Sequence, residues 1–125
     1  MVVKTCLLIS DDPDDHIEFS EAINEISDEV VVVSVSDMRK AIDLLKLNKC
    51  LPDFVLLNLT IPEFDPDHFF GTLNEDPVFN HVQVVAFGEA RTMPSPRIRA
   101  TFGADMSYSE LKNALRNILG TQGNR

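Results

Sequence analysis

Hydrophobic and polar positions along this chain follow two alternating periods. Short runs that are almost wholly apolar, such as Cys6–Ile9, are typical of strands covered on both faces of a parallel sheet. Strands are predicted on this basis at Val2–Ser10, Glu29–Ser36, Pro52–Leu59 and Val82–Phe87, with a weaker fifth strand at Met106–Tyr108. Between these runs the apolar residues recur at helical spacing, which indicates that strands alternate with helices.

The predicted helices carry start and stop signals. Asp12-Pro13 and Asp65-Pro66 each place a favoured N-cap residue before a proline at the first helical position. Three further helices are predicted. One begins at a cap supplied by Ser36 or Asp37, a short one spans Pro96–Phe102 and ends at Gly103, and a closing one spans Leu111–Leu119 and ends at Gly120.

Five strands that alternate with five helices predict an α/β fold, with a doubly wound five-stranded parallel sheet between two helical layers. Ligands of such sheets bind beyond the carboxyl ends of the strands, near the switch in strand order. The residues predicted to lie there are Ser10-Asp11-Asp12, Asn58, Gly88 and Tyr108-Ser109.

Composition narrows the class of protein. The chain has 125 residues, of which 44% are hydrophobic and 25% charged, as is ordinary for one globular domain. Residues 1–120 are predicted to form that domain and residues 121–125 a flexible tail. The apolar runs are too short to cross a bilayer, so no membrane partner is expected. Cys6 and Cys50 show no metal-ligand spacing and are interpreted as buried, reduced thiols of a cytoplasmic protein.

The charges are unevenly distributed. Residues 1–90 contain 5 basic and 18 acidic residues, whereas residues 91–125 contain 6 basic and 2 acidic residues. The acidic part would repel phosphates, so nucleic acid is not expected as a partner. The basic part includes Arg91, Arg97, Arg99 and Arg116, which are candidates for a surface that contacts a partner protein. A solvated helix surface is the alternative interpretation of these arginines.

Several segments, in this order and spacing, resemble the receiver domain of two-component response regulators. Cys6 to Asp15 (CLLISDDPDD) resembles the first strand and acidic turn of that family, and Leu56 to Pro62 (LLNLTIP) resembles its phosphoacceptor strand. The stretch from Asn74 to Phe87 fits the approach to its fourth strand and the strand itself, and Gly103-Ala104-Asp105 resembles the start of its fifth strand. The resemblance runs nearly end to end and implies a flavodoxin-like, three-layer αβα fold.

The family's chemistry, as the resemblance implies it, is phosphorylation of an aspartate. Mg²⁺ is held by that aspartate and a pair of acidic residues, and it offsets the charge of the incoming phosphoryl group. A lysine holds a phosphate oxygen, and a Ser or Thr hydroxyl turns inward to bond the phosphate and transmit the signal.

This sequence departs from that set on the metal side. Ser10 matches the first acidic position, while Asp11 matches the second and is followed by Asp12. Asn58 matches the phosphoacceptor, and its carboxamide is a poor nucleophile that cannot form an acyl phosphate. Because Mg²⁺ prefers carboxylates and dehydrates reluctantly, we expect it to bind only weakly here.

The phosphate side is also altered. Gly88 matches the position of the switch hydroxyl and has no side chain to turn. The family's Lys-Pro motif is missing, and an ungapped match places Glu110-Leu111 there, where Glu110 has the wrong charge to hold phosphate. A match through the last helix indicates instead that this loop is several residues short, and under either match no lysine stands at the position.

We therefore expect a stand-alone, degenerate receiver domain with no catalytic residue, no required cofactor and no phosphorylation at Asn58. Its expected partners are a histidine kinase, a phosphotransfer protein or an output protein in trans, and a homodimer is left open. One alternative keeps phosphorylation, with Asp11 or Asp12 as acceptor. A more remote alternative is a magnesium-dependent phosphatase-like enzyme, suggested only by Asp12-Pro13-Asp14.

Overall fold

The computed structural model describes residues 3–47, 50–61, 65–88, 98–102 and 107–119. Their elements, in chain order, are β1 (Lys4–Ile9), α1 (Pro13–Ile26), β2 (Val30–Val35), α2 (Met38–Lys46), β3 (Phe54–Asn58), α3 (Pro66–Glu75), a 3-10 turn (Pro77–Phe79), β4 (Gln83–Phe87), β5 (Ile98–Phe102) and α4 (Tyr108–Leu119).

The five strands form one parallel sheet in the order β2-β1-β3-β4-β5. The chain leaves β1 toward one edge and returns after β2 to the other side of β1, so the strand order reverses between β1 and β3. Ile9 pairs with Leu57, and Asn58 pairs with Phe87. These registers bring the carboxyl ends of β1, β3 and β4 to the same edge of the sheet, and they confirm the predicted α/β fold class.

Apolar side chains cover both faces of the sheet. Leu7 and Leu57 point to one face and pack with α2 and α3, whereas Leu8 and Leu56 point to the other and pack with α1 and α4. This alternation explains the continuous apolar runs, since both sides of each central strand are buried.

The predicted helix starts are confirmed by side-chain caps. Asp12 accepts a hydrogen bond from the Asp14 N–H at 2.9 Å, Asp37 accepts one from the Lys40 N–H at 2.7 Å, and Asp65 accepts one from the His68 N–H at 3.2 Å. Each carboxylate satisfies a backbone donor that has no partner within its own helix.

The helix predicted over Pro96–Phe102 is wrong, because Ile98–Phe102 is strand β5. Ile98 and Phe102 are four residues apart, a spacing that also fits one face of a helix. A register shift between Val84 and Val85 instead turns Ile98 toward α2 and α3 and Phe102 toward α1 and α4. Pairing with β4 and burial on both faces therefore override the local spacing.

The strand predicted at Met106–Tyr108 is also wrong, because Tyr108 begins α4. The Ser107 N–H donates to Glu110 Oε1 at 2.8 Å, and the Glu110 N–H donates to Ser107 Oγ at 3.1 Å. This reciprocal pair is a capping box, a helix-start signal that the sequence carries as Ser107 followed three residues later by Glu110. Phe102, and not Tyr108-Ser109, therefore closes the fifth strand.

Several predictions fall on parts of the chain outside the described residues. They include the loop after β4, the Gly103-Ala104-Asp105 motif and the tail at residues 121–125. The fifth strand of the sheet, β5, is formed by residues that precede that motif. Four α-helices occur in the described ranges, whereas five were predicted. None of the helices in those ranges has the length and apolar character needed to cross a membrane.

Candidate functional site

The carboxyl edge of the sheet brings together three positions that the sequence singled out. Ser10 follows β1, Asn58 ends β3 and Gly88 follows β4. Ser10 is fully buried, and Asn58 is only 6% exposed. A cavity of about 230 Å³ opens beside them, and its lining includes Asp12, Asp15, Glu18, Phe19, Asn58, Thr60, Phe87, Gly88, Phe102 and Leu111.

The Asn58 carboxamide is held by hydrogen bonds on both of its sides. Its Oδ1 accepts from the Thr60 N–H at 2.9 Å and from the Thr60 hydroxyl at 2.7 Å. Its Nδ2 donates to Ser10 Oγ at 3.1 Å. The orientation of the carboxamide is therefore fixed, because Oδ1 faces two donors and Nδ2 faces an oxygen that can accept.

Ser10 continues this chain of hydrogen bonds to helix α1. Its hydroxyl donates to Asp15 Oδ2 at 2.6 Å and accepts from the Asp12 N–H at 3.2 Å. An ionised carboxylate only accepts, so the single Ser10 proton points to Asp15. We call the linked side chains of Ser10, Asp15, Asn58 and Thr60 the Ser10–Asn58 network.

The backbone of Ser10 is fixed as well. The His16 Nε2 lies 2.6 Å from the Ser10 carbonyl oxygen. A carbonyl can only accept, so Nε2 carries the hydrogen in this contact. The Nδ1 of the same ring is buried without a hydrogen-bond partner among the described residues. His16 therefore ties the first turn of α1 to the end of β1.

Gly88 is required by the position of Asn58. Its φ angle is +88°, a conformation that side-chain-bearing residues rarely adopt. A Cβ at this position would lie 2.7 Å from Asn58 Oδ1 and 3.4 Å from Thr60 Oγ1. The Ser10–Asn58 network thus occupies the space that a side chain at position 88 would need.

The lining of the cavity combines acidic and aromatic side chains. Asp12, Asp15 and Glu18 supply carboxylates, and no basic residue is among its described lining residues. The Phe19 ring packs 4.7 Å from the Phe87 ring, centroid to centroid. The negative charge of these carboxylates opposes the approach of a phosphoryl group.

Asp11 and Asp12 differ in their relation to the cavity. Asp12 lines it while capping α1, whereas Asp11 is exposed and is not among the described lining residues. Asp15, the last residue of the acidic turn noted in the sequence, is the carboxylate that joins the network.

The oxygen atoms at this edge, which are the possible metal ligands, do not fit a tightly bound Mg²⁺. The Asn58 oxygen already accepts two hydrogen bonds, the Asp15 carboxylate accepts the Ser10 proton, and Ser10 replaces a carboxylate. Across the described ranges, no three His, Cys, Asp or Glu side chains are grouped so as to hold a metal ion. Mg²⁺ needs near-octahedral oxygen ligands, and most of these oxygens already have hydrogen-bond donors.

A second polar cluster joins α1 to α4 and shares no residue with the Ser10–Asn58 network. The Tyr108 hydroxyl and the Lys112 ammonium each donate to the Glu25 carboxylate at 2.8 Å. These hydrogen bonds lower the pKa of Glu25, and the carboxylate raises the pKa of Tyr108 to about 12.

The predicted arginine surface is only partly described. Arg91 and Arg97 lie outside the described residues, and only the backbone of Arg99 is described, within β5. Arg116 is exposed on α4, where its Nη1 donates to Asn113 Oδ1 at 2.9 Å. The grouping of these arginines into one surface therefore stays a prediction.

Sequence reasoning missed Thr60, and a local signal was available. An asparagine often hydrogen-bonds the backbone two residues further on, and Asn58-Leu59-Thr60 places a hydroxyl and an N–H at that distance. The cluster of phenylalanine rings that lines the cavity had no such local signal. Phe19, Phe87 and Phe102 are distant in sequence and come into contact only in the folded chain.

No family model matches this sequence, and no curated protein matches it either. Solved structures do match. The phosphorylated cyanobacterial phytochrome response regulator RcpA superposes with a TM-score of 0.79 at 20% identity, over 98% of this chain and 98% of that one. A two-component response regulator from Legionella pneumophila gives 0.75 at 24% identity, over 97% and 99%.

A third match is the receiver domain of a sensor histidine kinase from Pseudomonas aeruginosa, solved with a magnesium ion in its active-site cleft. It gives a TM-score of 0.70 at 16% identity, over 96% of this chain and 100% of that one. The strand order, the two helical layers and these likenesses show that the chain has the fold of the receiver domains of two-component response regulators.

Proposed function

We propose that this protein is a receiver module of two-component signalling that is not phosphorylated at the usual position and acts through protein contacts. The proposal rests on the position and the hydrogen bonds of Asn58. It ends β3, where the resemblance places the phosphoacceptor, and its carboxamide is bonded to Ser10 on one side and Thr60 on the other.

Chemistry and charge support the loss of phosphorylation. A carboxamide nitrogen has no lone pair available for attack on phosphorus, because amide resonance delocalises it. The phosphoryl group would also meet the carboxylates of Asp12, Asp15 and Glu18. The described lining of the cavity contains no lysine or arginine that would offset its charge. Gly88 offers no hydroxyl to bind a phosphate oxygen or to move in response to it.

The same contacts support a single resting conformation. The Ser10–Asn58 network satisfies the buried polar groups within the chain, and each lost hydrogen bond would leave a buried donor or acceptor unpaired. A module of this kind is non-catalytic and presents one surface constantly. The partners we propose are a histidine kinase, a phosphotransfer protein or an output protein, as for the receiver fold in general.

Exposure to acetyl phosphate and Mg²⁺, followed by intact-mass measurement, tests the chemical part. We expect no gain of a phosphoryl group, while an ordinary receiver domain with an aspartate at the acceptor position gains one under the same conditions. A hydroxylamine-labile gain of one phosphoryl group would contradict the proposal, and peptide mapping would show whether Asp11 or Asp12 carries it.

Binding tests the signalling part separately. Kinases and phosphotransfer proteins encoded in the same genome are radiolabelled on their histidines and mixed with this protein. We expect a stable complex with one of them and no transfer of label to this chain. Failure to bind any of them would remove the signalling role, whereas transfer of label would remove only the claim of an inactive acceptor.

A further inference from the structure

Strand β2 forms one edge of the sheet and is unusually apolar for an edge strand. Its sequence is VVVVSV, without a charged residue or a proline. Edge strands are normally protected from pairing with other chains by lysine, proline, bulges or a covering element. β2 pairs with β1 in an unbroken register from Val30 to Val35, so no bulge turns this edge away.

The outer side of β2 presents backbone groups that have no partner strand among the described residues. The Lys4 N–H donates to the Glu29 carbonyl, and the Ser10 N–H donates to the Val35 carbonyl. Odd-numbered residues of β2 therefore face β1, and the N–H and C=O groups of Val30, Val32 and Ser34 point away from the sheet. In the part of the chain that the structure describes, no element pairs with this side of β2.

Exposed apolar side chains lie next to this edge. Val31 on β2 is 52% exposed, and Leu47 at the end of α2 is 63% exposed. An apolar groove of about 250 Å³ runs between the edge and α2, and it is lined by Val35, Lys40, Asp43, Leu44 and Leu47. The edge thus combines open hydrogen-bonding groups with apolar surface.

The sequence around β2 is complementary to itself in one antiparallel register. When Val32 faces Val32 of a second copy, Val31 faces Val33 of that copy. Asp28 then lies opposite Ser36 and Asp37 opposite Ser27, so no two like charges are opposed. Of the two neighbouring registers, the one with Val33 opposite Val33 would oppose Glu29 to Asp37, which is unfavourable. The one with Val31 opposite Val31 would place Ser34 opposite Asp28, beyond the end of the second β2, so fewer outward-facing residues would pair.

We propose that the β2 edge is a dimerisation surface, on which a second copy of this chain adds its own β2 antiparallel with Val32 opposite Val32. The two five-stranded sheets then join into one continuous sheet. Valine side chains pack well on the pleated surface of a sheet, and the backbone groups at the edge gain hydrogen-bond partners. This inference stands independently of the signalling role, because it depends on β2 and not on Asn58.

Sedimentation velocity from micromolar to millimolar protein tests the dimer. We expect the wild-type mass to rise to that of a dimer and Val31→Lys to weaken the dimer about tenfold or more, because each ammonium would face an apolar seam. Adding Val33→Glu to Val31→Lys sets opposite charges face to face in this register alone, so the double variant should regain the dimer.

Ile17→Lys is the matched control, since Ile17 is 58% exposed and lies on α1 and not on β2, and it should leave the dimer unchanged. Circular dichroism checks that each variant is folded. If Val31→Lys unfolds the chain, Ser34→Pro replaces it, because Ser34 is exposed and the N–H it loses points outward. A wild-type monomer at every concentration, or a folded double variant that stays monomeric, would overturn the proposal.

Discussion

A Cβ added to Gly88 would lie 2.7 Å from Asn58 Oδ1, closer than van der Waals contact allows. The missing side chain at the end of β4 and the carboxamide at the end of β3 therefore belong to one arrangement. Asn58 Oδ1 turns toward Thr60, and the space that this requires is the space in front of Gly88.

The first prediction concerns Gly88→Ala. We expect it to destabilise the protein by about 1–3 kcal/mol, because alanine is strained at a φ of +88° and its methyl group meets Asn58. Gly71→Ala is the control, since Gly71 lies within α3 with nothing within 4 Å of an added Cβ. It should stabilise by roughly 0.5–1 kcal/mol. Urea denaturation measures the free energy of unfolding of both variants. A Gly88→Ala variant as stable as the wild type would refute the tight contact.

The second prediction concerns the coupling of Ser10 and Asn58. Ser10→Ala and Asn58→Ala each leave a buried polar partner unsatisfied and should each cost about 1–3 kcal/mol. Because both remove the same bond, the double variant should lose less than the sum, by about 0.5–3 kcal/mol.

A control cycle replaces Ser10→Ala with Thr72→Ala. Thr72 donates to the His68 carbonyl within α3 and shares no hydrogen-bond partner with Asn58 among the described residues, so this pair should be additive. Additive energies for Ser10 and Asn58 as well would show that the network does not act as a unit.

The third prediction is a pH dependence at the α1–α4 contact. Hydrogen bonds from Lys112 and Tyr108 lower the pKa of Glu25 below its ordinary value of 4.5. A carboxyl group whose pKa is lower in the folded state stabilises the fold above its unfolded pKa and loses this effect as the pH falls through the folded pKa. The stability difference between wild type and Glu25→Gln should therefore be present at neutral pH and vanish in acid.

The alkaline side of the same contact can be followed on the single tyrosine of the chain. Bonding to Glu25 raises the pKa of Tyr108 to about 12, so its contribution to stability is present below the ordinary value of 10 and lost as the pH rises through about 12. Glu25→Gln should bring the ultraviolet titration of Tyr108 back toward 10. Glu21→Gln, which affects Tyr108 only through its charge, should shift it less.

The fourth prediction concerns the two thiols. Burial and the neighbouring Cys50 raise the pKa of Cys6 to about 12, and burial raises the pKa of Cys50. Thiolates are the reactive species, so both should be alkylated slowly in the native protein and rapidly in denaturant. Mass spectrometry counts the modified residues. Rapid labelling of native Cys6 would contradict its burial between the sheet and α1.

The elements with clear local signals were predictable. β1 and β3 are continuous apolar runs, and α1 and α3 begin at an aspartate followed by proline, so their existence and order followed from the sequence. The candidate site was predictable to the same extent: the strand ends at Ser10, Asn58 and Gly88 do meet at one edge.

Beyond β4 the local signals conflicted. Ile98 and Phe102 have helical spacing but form a strand, because β4 supplies hydrogen-bonding partners and the register shift gives each side chain its own buried face. The capping box of Ser107 and Glu110 was a local signal for α4 that outweighed the apolar residues before it.

By itself the sequence determined the chemistry available at the site, because residue identity fixes that Asn58 is an amide, that Ser10 is not an acid and that Gly88 has no side chain. Only the tertiary structure decided how those groups are used. The direction of each hydrogen bond, the recruitment of Asp15 and Thr60, and the exposure of the β2 edge depend on distances between segments far apart in the chain. Such distances are set by packing, which no local pattern of residues records.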